Sequence, residues 1–156
     1  MTVTQRPTIS PCIWYRDPHA AIAWLEQAFG FETRMVVDDG SGGVIHSELW
    51  IQDGYVMVVG PPRGSAISPA MFGGRSSQST HVQLQAGLDA HYERARAAGA
   101  RIEREPTTMA YGDRVYTCLD PEDHPWSFGM TVAALTPEQM AQATGKTITT
   151  SLKAPS

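Results

Sequence analysis

Cysteine is scarce in this chain, with only Cys12 and Cys118 among 156 residues. So few thiols exclude a disulfide-stapled scaffold. Each falls inside a segment rich in β-formers, which points to reduced core thiols and a cytoplasmic setting. Basic charge is also short: 12 Lys and Arg against 16 Asp and Glu leave a net charge of -4. Phosphate binding normally needs a basic face, so nucleic acid is not expected as a partner. No run approaches the ~18 consecutive apolar residues that a membrane-spanning helix requires. The opening MTVTQRPTIS has no apolar signal-peptide core, so no membrane partner is expected either. Also missing are a glycine-rich phosphate loop, a Gly-x-Ser-x-Gly elbow and a Cys/His nucleophile arrangement, so nucleophilic catalysis has no support.

What is present is enough apolar content, 42%, for a real core in one domain or in one domain built of two similar halves. TISPCIWY reads as a strand. Asp17 then stands as an N-cap with Pro18 at the first helical position, and Ala21, Ile22, Leu25, Ala28 and Phe29 recur at helical spacing up to Gly30. FETRMVVDD reads as a strand, followed by a hairpin that reverses at Gln52, Asp53 and Gly54. From Pro61 to Ser79 periodicity is lost, leaving a lid or a plain connector with Met71 and Phe72 as an apolar tip. The order then repeats: strand STHVQLQ, helix LDAHYERARAAGARIE with its buried stripe at Leu88, Tyr92, Ala95 and Ala98, strand RIEREPTTMA, and a hairpin closing through an Asp-Pro turn. Beyond Val132, Thr136 and Pro137 predict a short helix before a flexible polar tail.

Five strings occur in order: DPHAAIAWLEQAFGFE, HSELWIQDGYVMVV, THVQL, GARIEREP and YGDRVYTCLDPEDHPWSFG. Together they resemble the vicinal oxygen chelate superfamily, which holds glyoxalase I, the bleomycin and fosfomycin resistance proteins and the extradiol dioxygenases, and they are most similar to its glyoxalase-like members of unassigned activity. The resemblance covers about residues 8–132. It implies an α+β fold of two βαβββ modules, about 8–60 and 80–132, forming a curved mixed sheet with a central cavity. Loop 61–79 would join them, the short helix and tail would fill 133–156, and a homodimer would complete the cavities. Fold alone does not fix chemistry on such a scaffold.

Metal-dependent members place four donors from His, Glu and Gln on strands. The resemblance puts those positions near Ser10, at Val58 or Val59, at His81, and at Ser127 or Phe128. One imidazole among them does not hold zinc, nickel or iron, since catalytic sites use three or more protein ligands. The expectation is therefore no metal and no cofactor. A displaced set of His46, Glu48 and His81 is the alternative, and it would make the protein a metal-dependent lyase, isomerase or dioxygenase.

The candidate ligand-binding residues are His46, Glu48, Trp50, His81, Tyr111, Arg114, Trp126 and Phe128. His46, Glu48 and Trp50 share one strand face, offering a donor, an acceptor and a stacking plane, or else forming an exposed side or dimer contact. His81 is either a vestigial ligand or a satisfied strand histidine. Trp126 and Phe128 suit a planar guest or the edge of a core. Tyr111 stands in the turn before Arg114, whose guanidinium either reaches the cavity or pairs with Asp113 or Asp120. Asp123 occupies a turn position that tolerates left-handed backbone. Glu48 or His81 could also serve as a base without a metal. The leading expectation is a protein that sequesters a small organic molecule, planar or cationic, between its modules.

Overall fold

The Asp17 side chain accepts the Ala20 amide at 3.1 Å and starts α1 (Pro18–Phe29), and Gly30 ends the helix in the left-handed region at φ 75°. In the computed structural model, which describes residues 5–61 and 68–151, this helix follows β1 (Cys12–Trp14). Strands β2 (Glu32–Asp38), β3 (Val44–Ile51) and β4 (Gly54–Val59) complete the first module. A short 3-10 turn (Pro69–Phe72) precedes the second: β5 (Thr80–Gln83), α2 (Leu88–Ala97), β6 (Arg101–Thr108), β7 (Asp113–Leu119) and β8 (Pro125–Thr131). The lid or connector expected at 61–79 lies partly outside the described residues, and within its described part Met71 and Phe72 are exposed on the 3-10 turn. Helix α3 (Pro137–Thr144) opens on a full capping box between Thr136 and Gln139.

The two modules repeat one topology. Sheet one has the order β1-β4-β3-β2 and sheet two β5-β8-β7-β6. Each edge pair, β1 with β4 and β5 with β8, is parallel, and the remaining pairs are antiparallel. The expected α+β fold of two βαβββ modules is present as two four-stranded mixed sheets, one per module, with no described strand of one hydrogen-bonded to a strand of the other.

The modules meet through their helices and one turn. Phe29 of α1 packs on sheet two, its ring centroid 5.1 Å from Trp126 and 4.7 Å from Phe128. Arg94 of α2 donates to the last carbonyls of α1, to Gln27 O at 2.7 Å and Glu26 O at 2.8 Å, where cations complement the helix dipole. Trp24 Nε1 returns a bond to Ala98 O at 2.9 Å. His91 sits between the modules: its Nε2 faces Phe29 O at 2.9 Å and its Nδ1 meets the Tyr116 hydroxyl at 2.6 Å. Since a carbonyl only accepts, Nε2 carries the hydrogen and Tyr116 donates to Nδ1, which fixes a neutral ring. Burial, more than the nearby Arg94 charge, pushes the His91 pKa down.

The β7–β8 turn docks on the start of α1. Asp120, 1% exposed, accepts Tyr15 OH at 2.6 Å and Trp126 Nε1 at 3.0 Å on one oxygen. Its other oxygen takes the amides of Glu122 and His124. Glu122 accepts the Arg16 amide at 2.7 Å and the Asp17 amide at 3.1 Å, a carboxylate at the positive end of a helix. Asp123 adopts φ 67°, as its turn position requires. One hydrophobic cluster runs through both modules, and each large side chain fully buried in it contributes roughly 1.5–3 kcal/mol.

The cysteines divide. Cys118 is buried, and burial followed by the Asp120 charge pushes its thiol up to about 12. Cys12, expected in the core, is exposed instead, because Ile13 and Tyr15 take the inward positions of β1 and the alternation turns Cys12 and Trp14 outward.

Candidate functional site

Each sheet buries one face on the helices and leaves the other open. On sheet one, Ile13, Tyr15, Leu49, Val56 and Val58 point into the core. Period-two alternation therefore sends Cys12, Trp14, His46, Glu48, Trp50, Tyr55, Met57 and Val59 to the open face. The registers Met35↔Glu48 and Cys12↔Met57, with Leu49↔Val56 between them, set Met35, Glu48, Met57 and Cys12 in one row across all four strands.

The center of this face is a carboxylate. Glu48 is only 6% exposed. His46 Nε2 lies 3.3 Å from its Oε1, and Trp50 Nε1 donates to Oε2 at 3.3 Å. The third partner is Arg6, whose Nη2 reaches Oε1 at 2.7 Å while its side chain remains 57% exposed. Burial alone would raise the Glu48 carboxyl. The bonds from His46 and Trp50 and the charge of Arg6 outweigh it and hold the group below its ordinary range, so it is an anion at neutral pH. Beside it, Trp50 packs on Tyr55 at 4.9 Å between centroids, and the Arg34 guanidinium lies 4.6 Å from the Trp50 ring centroid, a cation-π contact.

The open face of sheet two carries His81 in a polar network. Its Nδ1 meets Ser127 Oγ at 2.8 Å and its Nε2 meets Gln83 Oε1 at 3.0 Å, and Gln83 Nε2 donates on to Thr131 and Asp113. Both ring nitrogens are thus engaged. Among the positions where the resemblance expects metal ligands, Val58 faces the core, Val59 has no donor atom, and Ser127 offers a hydroxyl already bonded to His81. One engaged imidazole with hydroxyls does not fit a divalent ion. The displaced set fares no better within one chain: His46 and Glu48 lie on sheet one and His81 on sheet two, and among the described residues no three His, Cys, Asp or Glu gather to hold an ion.

The remaining expected site residues sit elsewhere. Trp126 and Phe128 are fully buried on the helix side of β8 and do not reach a ligand, because Phe29 covers them and Asp120 takes the Trp126 N-H. Arg114 also points to the helix side, where Asp89 of α2 accepts its Nε at 3.1 Å and its Nη2 at 3.0 Å, so neither the cavity nor Asp113 or Asp120 is its partner. Tyr111 is exposed in the turn before β7.

A cavity of about 590 Å³ does lie between the modules, but none of the eight expected residues lines it. Its walls are Cys12 and Trp14 of β1, Phe72 and Arg75 of the connector, and His124. Trp14 is 52% exposed there. A second cavity, about 510 Å³, opens between α1 and the β7–β8 turn around Trp24, Leu25 and Glu122. Alternation within Cys-Ile-Trp-Tyr signals the outward Cys12 and Trp14 once Ile13 is assigned inward. Nothing local signals Arg6.

A family model described as Glyoxalase/Bleomycin resistance protein/Dioxygenase superfamily matches residues 8–128. An uncharacterized protein of Mycobacterium bovis is 28% identical over 147 residues, 92% of this chain and 95% of its own length. A crystal structure of TioX from Micromonospora sp. ML1 is 30% identical, covers 83% of this chain and 100% of that one, and superposes with a TM-score of 0.63. The fosfomycin resistance protein FosX from Listeria monocytogenes, solved with Mn(II) and a dihydroxypropylphosphonic acid, superposes at 0.60 with 18% identity over 88% of this chain and 98% of its own, a likeness of fold alone. The chain, with its paired βαβββ modules, belongs to the glyoxalase/bleomycin resistance protein/dioxygenase superfamily.

Proposed function

We propose that the protein binds a small organic cation with a planar, apolar body on the open face of sheet one, without a metal, as a sequestering or resistance-type member of its superfamily. The observation that carries this reading is Glu48, a carboxylate sealed on an outward face and held ionised by His46 and Trp50. A buried charge needs partners, and beside His46 and Trp50 the partner this one takes is a guanidinium. The face already seats two guanidinium groups of its own chain, Arg6 on Glu48 and Arg34 on Trp50. Glu48 is two strands from Cys12, roughly 10 Å at the usual inter-strand spacing. A molecule anchored on Glu48 could therefore extend over Met57 toward Trp14 and Phe72, into the cavity between the modules. That cavity has the size of a small-molecule site.

A resistance role accords with the bleomycin resistance proteins named in the superfamily's description. A second copy of the chain would complete the cup. Exposed Trp14, Met35 and Val37 support that assembly, since apolar side chains gathered on one outward face mark an interaction surface.

Benzamidine, a planar amidinium, should raise the melting temperature in a dose-dependent way, because a ligand that binds only the folded form stabilises it. Its anionic counterpart benzoate should not. A stoichiometric divalent ion in protein purified without chelator, or equal stabilisation by benzoate, would sink the reading.

A further inference from the structure

The cation on Glu48 in this structure belongs to the protein. Arg6 precedes β1 by six residues, a stretch that reaches at most about 20 Å when fully extended. It crosses β4 to meet a carboxylate on β3, two strands away. Residues 5–10 belong to no helix or strand. The Arg6 side chain is more than half exposed while Glu48 beneath it is sealed. The two partners are therefore unequal: one is fixed by an indole and an imidazole, and the other hangs from an extended leader.

We propose that Arg6 is a tethered occupant of the ligand's cation subsite, so that the site selects guanidinium or amidinium groups and opens only when the leader lifts away. The proposal rests on the function argued above and deepens it. Two further observations carry it. Arg6 shares Oε1 of Glu48 with His46 and leaves Oε2 to Trp50, so an incoming amidinium can take the place of Arg6 without disturbing the groups that orient the carboxylate. Arg34 stacked on Trp50 shows a planar guanidinium packing against this same wall. A tethered partner acts at an effective concentration in the millimolar range. An ion pair whose cation stays more than half in water is weak, so the plug raises the threshold for binding without abolishing it.

The test is calorimetric titration of full-length wild type, Arg6→Ala and Arg6→Lys with benzamidine. Arg6→Ala should bind roughly twofold to fivefold more tightly than wild type, the equivalent of about 0.4–1 kcal/mol, while Arg6→Lys, a point charge without the planar fork, falls between the two. Amide hydrogen exchange in residues 5–10 of wild type should quicken when benzamidine saturates the site. Equal or weaker binding by Arg6→Ala, with unchanged exchange in the leader, would show Arg6 to be a structural contact and overturn the plug while leaving the cation site standing. Benzamidine binding to none of the three proteins would overturn both the plug and the cation site.

Discussion

Asp120 and Glu48 are both carboxylates sealed from water, and each accepts an indole N-H, from Trp126 and Trp50 respectively. They differ in what else holds them. Every other partner of Asp120 is a fixed part of the fold: the Tyr15 hydroxyl and the amides of Glu122 and His124. Glu48 has one partner, Arg6, that comes from the stretch before β1 and keeps its side chain more than half exposed. A buried anion satisfied wholly from within serves as a joint, here between module one and module two. A buried anion whose last partner is supplied by a detachable segment is a socket.

That contrast should break first at Asp120. Asp120→Ala leaves the Tyr15 hydroxyl and the Trp126 N-H buried without an acceptor, and the loss should reach about 3–5 kcal/mol, the range for breaking a buried polar network. Denaturant unfolding measures it. Glu48→Gln should shift stability by less than about 1 kcal/mol, because Arg6 stays half in water when released. The same variant should weaken benzamidine by at least about tenfold, or ~1.4 kcal/mol, through loss of the anion. A large stability loss in Glu48→Gln would erase the distinction between joint and socket.

The joint also predicts a pH dependence near neutrality, which Glu48, held below its ordinary range, does not share. His91 is held neutral between Phe29 O and Tyr116 OH, and its folded pKa lies below the ordinary histidine value of 6.5. The unfolded chain therefore binds a proton before the folded one does. Stability contributed by the neutral ring is present above pH 6.5 and drains as pH falls from there toward the folded value. Glu122 acts lower. Burial would raise its carboxyl, but the Arg16 and Asp17 amides outweigh that and hold it below 4.5, so its contribution fades as pH drops through that region. His91→Gln should flatten the stability profile in the first window and Glu122→Gln in the second, read by thermal melts across pH.

The same contrast explains what the sequence discloses. Helix α1 is legible because its signals are local: Asp17 caps it, Pro18 starts it and Gly30 stops it. The His46, Glu48 and Trp50 face is legible because alternation puts them together. Alternation does not say which face of β8 is inside. Ser127 or the pair Trp126 and Phe128 could point outward on sequence grounds, and Phe29, arriving from the other module, decides it. Arg6 is invisible for the same reason, since its meaning depends on a carboxylate brought near only by the folding of β3 beside β4.

The smallest effect concerns Arg114, a long-range case with the opposite outcome. Its guanidinium is forked onto Asp89 at the exposed side of α2, on the helix face of sheet two, away from both open faces. An ion pair whose acidic partner is mostly in water is worth at most about 1 kcal/mol. Arg114→Ala should therefore cost less than that in denaturant unfolding and leave benzamidine binding unchanged. Should the variant lose benzamidine, the binding site would have to reach the second module, and Glu48 would no longer account for the guest's selection alone.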